Sequence, residues 1–185
     1  MEKLYREYFI IIIFVNQNKD DGMGKALLVI DMQNGFRHEP SEAILDNIIK
    51  LVKGFDGKVI FTLFVDVPNS MFETELNWPK FQSEEAQRLF KELEPIADGK
   101  LEVKHKGYTV LTDELRDIFK ENNIDTVYLS GVYTDVCIVK TAMDLFDEGF
   151  KTKIVANACA SLHGDNNHKY AIDSLKHIIG KGNVI

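Results

Sequence analysis

The feature that most limits the possible folds is a regular alternation of short apolar runs with amphipathic segments from residue 25 onward. Six runs have the length and composition of strands: 25–31, 59–64, 101–106, 126–130, 153–156 and 184–185. Apolar residues recur at helical spacing in the segments between them: 44–52, 83–93, 115–122 and 169–179. Such alternation favours parallel strands, because each connection must cross back over the sheet. We predict a three-layer αβα fold, a doubly wound, mostly parallel, six-stranded Rossmann-like sheet.

The length and composition predict one domain. A chain of 185 residues with 45% hydrophobic content can build one substantial core and is short for two. We place this domain at 23–185 and interpret 1–22 as an N-terminal extension. The apolar run at 9–15 is far below the roughly 20 residues that cross a bilayer. Three interpretations of the extension stay open: an extra edge strand, a disordered lead or a mis-assigned translation start.

The charge distribution limits the partners. The net charge is −7 and the sequence has no block of lysine and arginine, so we expect neither nucleic acid nor membrane as a partner. A small molecule is easier to accommodate. The chain has only two cysteines, which form no disulfide framework and fit a reducing, cytoplasmic location.

The segment 126–146 is interpreted as a buried strand, a tight turn and a helix whose first turn carries Cys137. Gly131 permits the turn, and Thr134 and Asp135 are suitable N-cap residues. A thiol at this position meets unpaired N–H groups and the positive end of the helix dipole, both of which favour the thiolate. The alternative is that Cys137 is simply a small buried residue.

Two further residues lie at the ends of other predicted strands: Asp31 after the first and Lys104 in the third. The carboxyl ends of parallel strands meet at one edge of the sheet, so Asp31, Lys104 and Cys137 can converge there. The carboxylate can take the thiol proton and pass it to a leaving group, and the ammonium can stabilise the thiolate. The segment 31–36 has neither dinucleotide-binding nor P-loop spacing, so a nucleotide-binding domain is disfavoured.

These motifs resemble the isochorismatase-like cysteine hydrolases, a superfamily that includes nicotinamidases and carbamoyl-amide hydrolases. The resemblance rests on 31–36, the lysine of the third strand and 131–137, and covers the chain from about residue 24 onward. It implies a catalytic triad of Asp31, Lys104 and Cys137, with Lys106 as the alternative lysine. It also implies a cis peptide bond between Val132 and Tyr133, which should direct the Tyr133 N–H, with that of Cys137, at the oxyanion of the substrate.

The same resemblance bears on the metal and the substrate. Nicotinamidases carry an aspartate and two histidines after the second strand that bind a metal, and 62–68 contains no histidine. The five histidines of the chain do not stand at zinc-ligand spacing. We therefore expect no metal and no cofactor. Isochorismatases proper act on a vinyl ether and lack the cysteine, so Cys137 favours an amide-type substrate.

We predict a homo-oligomeric cysteine hydrolase that cleaves a small amide or carbamoyl C–N bond through a thioester on Cys137. The alternatives are nicotinamidase or isochorismatase activity proper, or a binding or redox-sensing protein on the same fold. A redox sensor would use Cys159 as the partner of Cys137.

Overall fold

The sheet is parallel throughout. The computed structural model describes residues 23–78 and 81–185. Five strands form the sheet in this part of the chain: β1 (Gly24–Ile30), β2 (Lys58–Phe64), β3 (Leu101–His105), β4 (Ile124–Val132) and β5 (Lys151–Ala160). Their order is β3–β2–β1–β4–β5. The chain runs outward from β1 to one edge and then returns to the other side of β1, which is a doubly wound topology.

Helices cover both faces of the sheet. Eight α-helices are present in the described residues: α1 (Glu39–Ala43), α2 (Leu45–Gly54), α3 (Met71–Thr74), α4 (Glu84–Gln87), α5 (Glu94–Ala97), α6 (Asp113–Glu121), α7 (Val139–Asp147) and α8 (Asp165–Ile178). The apolar residues of α2 pack against one face, and those of α6, α7 and α8 pack against the other. Each face therefore has its own hydrophobic core.

The central strands are apolar because helices cover them on both sides. The last five residues of β1 and the last seven of β4 are all buried. A strand covered on both faces has no solvent side, which accounts for continuous apolar runs in place of alternation. The carboxyl ends of these two adjacent strands lie where the winding direction reverses, the usual position of a ligand cleft in such sheets.

The predicted sixth strand is not formed in the described part of the chain. Residues 184–185 make only an isolated parallel bridge, in which Val184 pairs with Ile154. The segment directly follows the short 3₁₀ turn Lys181–Asn183. The predicted extension, residues 1–22, lies outside the described residues.

The helix predicted at 83–93 is also shorter than expected. Only α4 is helical, and Leu89 then forms an antiparallel bridge with Gln33. The N–H of Phe90 donates to the carbonyl of Met32. The backbone beyond β1 needs hydrogen-bond partners, and this segment supplies them in extended form. Among the described residues, no helix combines the length and the apolar composition required to cross a membrane.

Candidate active site

Asp31 lies at the carboxyl end of β1 and is completely buried. Its backbone is left-handed, with φ of 55°, which is uncommon for a residue other than glycine. Oδ1 accepts a hydrogen bond from Thr62 Oγ1 at 2.8 Å and lies 2.7 Å from His105 Nε2. Oδ2 is buried and has no hydrogen-bond partner among the described residues. One oxygen of the carboxylate is therefore held in place, and the other is available.

Cys137 lies in the π-helical turn Thr134–Ile138 that precedes α7, and its side chain is 7% exposed. The N–H of Tyr133 hydrogen-bonds to its sulfur and lowers the thiol pKa. Burial and the adjacent carboxylate of Asp31 have the larger effects, and together they raise the pKa of Cys137 well above its ordinary value. The resting side chain is a neutral thiol. The start of the helix does not dominate the pKa of the Cys137 thiol, contrary to the expectation from the sequence.

The structure does not bring Lys104 together with Asp31 and Cys137. Lys104 is exposed and lies on the wall of a groove of about 490 Å³ that contains neither residue. Successive side chains of a strand point to opposite faces, so Val103 and His105 point into the core and Lys104 points away from it. Lys106, the alternative lysine, is also exposed.

His105 occupies the place that the sequence analysis gave to a lysine. Its ring is 2% exposed and lies 5.6 Å from the ring of Phe64, centroid to centroid. Nδ1 is 2.8 Å from the carbonyl oxygen of Gly107. Burial lowers the pKa of His105, but the charge of Asp31 and the hydrogen bonds to Asp31 and Gly107 outweigh burial, so the pKa is raised. One signal for His105 was available in the sequence: it shares a strand face with Val103, the apolar residue at the centre of β3.

The backbone around β4 forms the wall beside Cys137. The peptide bond between Val132 and Tyr133 is cis, as predicted. Val132 is buried, and Tyr133 is partly buried. Burial first, and then the nearby Cys137 and Asp135, raise the pKa of Tyr133 to about 12, so its phenol is neutral. This wall carries no charge of its own at neutral pH.

The turn is fastened to α8. Thr134 Oγ1 lies 2.9 Å from Nδ1 of His168, a partly buried histidine of that helix. The π-helical turn also packs against both α7 and α8. The position of the Cys137 backbone therefore depends on two helices, α7 and α8.

A cleft of about 270 Å³ opens at Cys137. Its described lining is mostly aromatic and apolar: Phe36, Phe64, Phe72, Leu76, Trp78, Gly107, Tyr108, Tyr133, Val136, Cys137 and His163. The rings of Phe36 and Trp78 are stacked with centroids 5.9 Å apart, and Phe72 meets Tyr108 edge to face at 5.1 Å. Flat slots lined by aromatic rings accept flat, weakly polar groups.

His163 is the polar exception on the wall of the cleft. Its Nδ1 lies 2.7 Å from Asp135 Oδ2, and its ring meets Tyr133 edge to face at 5.1 Å. Among the described lining residues, it is the one that carries an imidazole. Neither spacing nor periodicity identified this pair, because 28 residues separate its members in the sequence.

The residues after β2 do not fit a metal. Asp66 is buried there, and its Oδ1 accepts hydrogen bonds from Ser70 Oγ at 2.5 Å and from the Val67 N–H at 2.9 Å. Phe64, two residues earlier, has no side-chain atom that could bind a metal. Within 23–78 and 81–185, histidine, cysteine, aspartate and glutamate side chains form no group of three that could hold a metal ion.

The fold and the site together define an α/β protein with a thiol on the wall of a cleft, beside a buried carboxylate, at the switch point of its sheet. The Isochorismatase domain family model matches residues 25–182, and the chain belongs to this family. It is a hydrolase. The family and the fold class predicted from the sequence are confirmed.

Individual relatives agree with this assignment. The isochorismatase family protein PncA of Bacillus subtilis is 28% identical over 180 residues, which cover 85% of this chain and 97% of that protein. A crystal structure of nicotinamidase PncA from Bacillus subtilis superposes with a TM-score of 0.78 at 28% identity, over 85% of this chain and 97% of that one. An isochorismatase-like hydrolase from Alkaliphilus metalliredigens gives a TM-score of 0.75 at 25% identity, over 87% and 93%.

Proposed function

We propose that this hydrolase cleaves the C–N bond of a small amide or carbamoyl compound through a thioester on Cys137, without a metal. The observation that carries this proposal is the unpartnered Oδ2 of Asp31 beside the buried thiol of Cys137. A buried carboxylate oxygen without a donor is a ready acceptor for the proton that the thiol must lose.

The first half of the reaction forms the acyl-enzyme. The Cys137 proton moves to Asp31 Oδ2, and the thiolate attacks the carbonyl carbon of the substrate. The oxyanion of the tetrahedral intermediate accepts hydrogen bonds from the backbone N–H groups of Tyr133 and Cys137. Asp31 then gives its proton to the leaving nitrogen. The C–N bond breaks, ammonia or an amine departs, and the acyl group stays on sulfur as a thioester.

The second half hydrolyses the thioester. Asp31, again a carboxylate, takes a proton from a water molecule, and the resulting hydroxide attacks the same carbonyl carbon. The C–S bond breaks, and the proton held by Asp31 returns to the Cys137 sulfur. The sum is amide plus water giving carboxylic acid plus ammonia or amine, so the enzyme ends as it began.

The cleft favours a flat, uncharged substrate. Its described wall is largely aromatic, and His163, whose Nδ1 faces Asp135, can hydrogen-bond to one polar atom of the substrate. The Bacillus subtilis PncA of known structure, at 28% identity, is a nicotinamidase, which supports an amide as the scissile group. Nicotinamide and benzamide are thus suitable first probes, and a carbamoyl compound such as N-carbamoylglycine tests the alternative.

The redox alternative has less support. A sensor would need Cys159 as a nucleophilic partner, but this thiol donates a hydrogen bond to the Leu129 carbonyl at 3.7 Å. Burial raises the pKa of Cys159 to about 12, so the thiolate needed for exchange is scarce at neutral pH.

Ammonia release from a panel of small amides tests the proposal. We expect the wild-type protein to release ammonia from aromatic amides in the presence of a chelator, because no step uses a metal. Cys137→Ala should lower the rate by a factor of about 10³ or more, since it removes the nucleophile. Cys159→Ala is the matched control and should retain the rate. Acid-quenched samples should show the mass of one acyl group on the peptide that contains Cys137.

Three results would contradict the proposal. Ammonia release by Cys137→Ala at the wild-type rate would remove the nucleophile from the mechanism. Loss of activity on chelation, with recovery on adding metal, would overturn metal independence. Equal loss in Cys137→Ala and Cys159→Ala would indicate a structural effect of either substitution.

A further inference from the structure

We infer that His105 is a doubly protonated imidazolium in the active enzyme and that it supplies the fixed positive charge of the catalytic site, an assignment that rests on the hydrolase proposed above. The inference rests on the hydrogen-bond partners of the two ring nitrogens. Nδ1 lies 2.8 Å from the carbonyl oxygen of Gly107, and Nε2 lies 2.7 Å from Asp31 Oδ1. Both partners are oxygen atoms at hydrogen-bonding distance.

The proton on Nδ1 follows from its partner. A backbone carbonyl oxygen only accepts hydrogen bonds, so at 2.8 Å the Nδ1 of His105 must be the donor. An imidazole with its proton on Nδ1 is neutral only if Nε2 carries none. The charge of His105 is therefore decided at the contact with Asp31.

The proton on Nε2 follows from the role of Asp31. Between Nε2 and Oδ1 there must be one proton, because two lone pairs 2.7 Å apart would repel. If that proton were on Oδ1, Asp31 would be a neutral acid and could not take a second proton from Cys137. An Asp31 that is able to act as the base is a carboxylate, and the proton then belongs to His105. Thr62 Oγ1 donates to the same Oδ1, which fits a carboxylate.

The surroundings of His105 fit a positive charge on its ring that is balanced by one partner, Asp31. The titratable groups that face it are Asp31, directly after β1, and, across Asp31, Cys137 of the π-helical turn. From β2 it meets Thr62, through Asp31, and the ring of Phe64, neither of which titrates near neutral pH. With 2% exposure, little water can share the charge. The ion pair is thus an internal one.

A histidine makes this charge dependent on pH. Although burial lowers the pKa of His105, Asp31 and the two hydrogen bonds raise it above the ordinary 6.5. The imidazolium is present below the raised pKa and is lost as the pH increases through it. A lysine ammonium, with an ordinary pKa of about 10.4, would stay charged over that range. The site should therefore lose its cation on the alkaline side.

The protonation state can be measured without a substrate. We expect the nitrogen NMR spectrum of the full-length protein, labelled with ¹⁵N in its histidines, to show both nitrogens of His105 protonated at pH 6.5. The variant His105→Gln assigns the signals by their loss. An unprotonated ring nitrogen for His105 at pH 6.5 would overturn the inference. Because neither catalysis nor a ligand is involved, this result is independent of whether the proposed amide hydrolysis is correct.

The reactivity of Cys137 toward iodoacetamide tests the role of the charge. We expect His105→Gln to lower the rate of Cys137 alkylation at pH 7 by at least about tenfold, since the thiolate loses its compensating cation. His105→Lys should recover part of that loss. As the pH rises, the ratio of the His105→Lys rate to the wild-type rate should increase, because only the wild-type cation is being lost.

A structural role for His105 predicts a different result. If the side chain only filled space, the rate ratio between His105→Lys and the wild type would not change with pH, and that result would contradict the inference. His177→Gln, an exposed histidine of α8, is the matched control and should behave as the wild type. Urea unfolding of each variant at pH 7 shows whether the comparison is made between folded proteins.

Discussion

At the residue scale, Gly131 is the position where β4 comes closest to β1 beside the site. Its φ is +104°, and a Cβ built there would lie 2.1 Å from the carbonyl oxygen of Ile30. Cβ atoms in proteins essentially never lie within 3.0 Å of another non-bonded heavy atom. The obstructing atom here belongs to the backbone, so it cannot rotate away. The residue thus lets two central strands converge directly before Asp31 and Val132.

We expect Gly131→Ala to lower the free energy of unfolding by more than about 3 kcal/mol, because both the dihedral angle and the space exclude a methyl group. Gly149→Ala separates the two causes. Gly149 has a φ of +87° but open space around it, so its cost should be only about 1–2 kcal/mol. Urea unfolding at pH 7 measures both. Equal losses of unfolding free energy in the two variants would show that the close contact with the Ile30 carbonyl adds nothing to the cost of Gly131→Ala.

The residue scale also shows what the sequence could and could not predict about the site. Asp31 and Cys137 could be placed because each follows a strongly apolar strand, whereas the Val132–Tyr133 cis bond was implied only by the family resemblance. The residue that β3 contributes could not be placed, because β3 is a short edge strand with one apolar residue at its centre. A shift of one position in such a strand moves a side chain to the opposite face. Lys104 and His105 differ by that one position.

At the element scale, the connection between β2 and α4 matters most for the substrate. It supplies Phe72, Leu76 and Trp78 to the cleft. Gln33, fully buried, holds the end of β2 from which this connection starts: its side chain pairs with the N–H of Phe64 at 2.8 Å and with the carbonyl at 3.0 Å. A polar side chain thereby extends the sheet toward the cleft.

We expect Trp78→Ala to raise the KM for an aromatic amide about tenfold while changing kcat less, because the ring packs with the substrate without touching the reacting atoms. Phe146→Ala is the control, since Phe146 is a half-exposed aromatic residue of α7 outside the cleft lining. Steady-state kinetics with benzamide measure both. A drop in kcat with unchanged KM would assign Trp78 a role in the chemical step.

The elements themselves were predictable to different degrees. Strands β1, β2 and β4 were found because covered strands are continuous apolar runs, and α6 was found from the helical spacing of apolar residues in 115–122. The segment 83–93 was predicted as a helix, since Leu89, Phe90 and Leu93 are spaced for one. These residues are buried as expected, but the backbone is extended where it pairs with residues beyond β1. Spacing identified the buried residues and could not foresee that pairing.

At the scale of the whole molecule, several acidic groups are held in their protonated form. Burial raises the pKa values of Cys137, Cys159, Tyr128 and Tyr133. In each case the unfolded chain loses the proton at a lower pH than the folded protein does. The unfolded state then binds fewer protons, and the free energy of unfolding falls as the pH rises. The homo-oligomer and the cytoplasmic location stay predictions at this scale.

Cys159 allows this effect to be measured away from the proposed chemistry. Burial raises its pKa from 9.0 to about 12, so its contribution is intact below pH 9 and is lost progressively above it. At pH 10 the loss from one such thiol is about 1.4 kcal/mol. We expect Cys159→Ala to reduce the decline in the free energy of unfolding between pH 8 and pH 10 by about that amount.

The control for this measurement is a buried residue that does not titrate. Ser130 is fully buried and donates a hydrogen bond to the Leu28 carbonyl at 3.1 Å. Ser130→Ala should lower the free energy of unfolding by the same amount at pH 8 and pH 10, because the serine hydroxyl neither gains nor loses a proton in this pH range. Urea unfolding curves at the two pH values give the difference for each variant. If the stability of Cys159→Ala declined with pH as steeply as that of the wild type, this buried thiol would not be the source of the alkaline loss, and Cys137 and the two tyrosines would have to account for it.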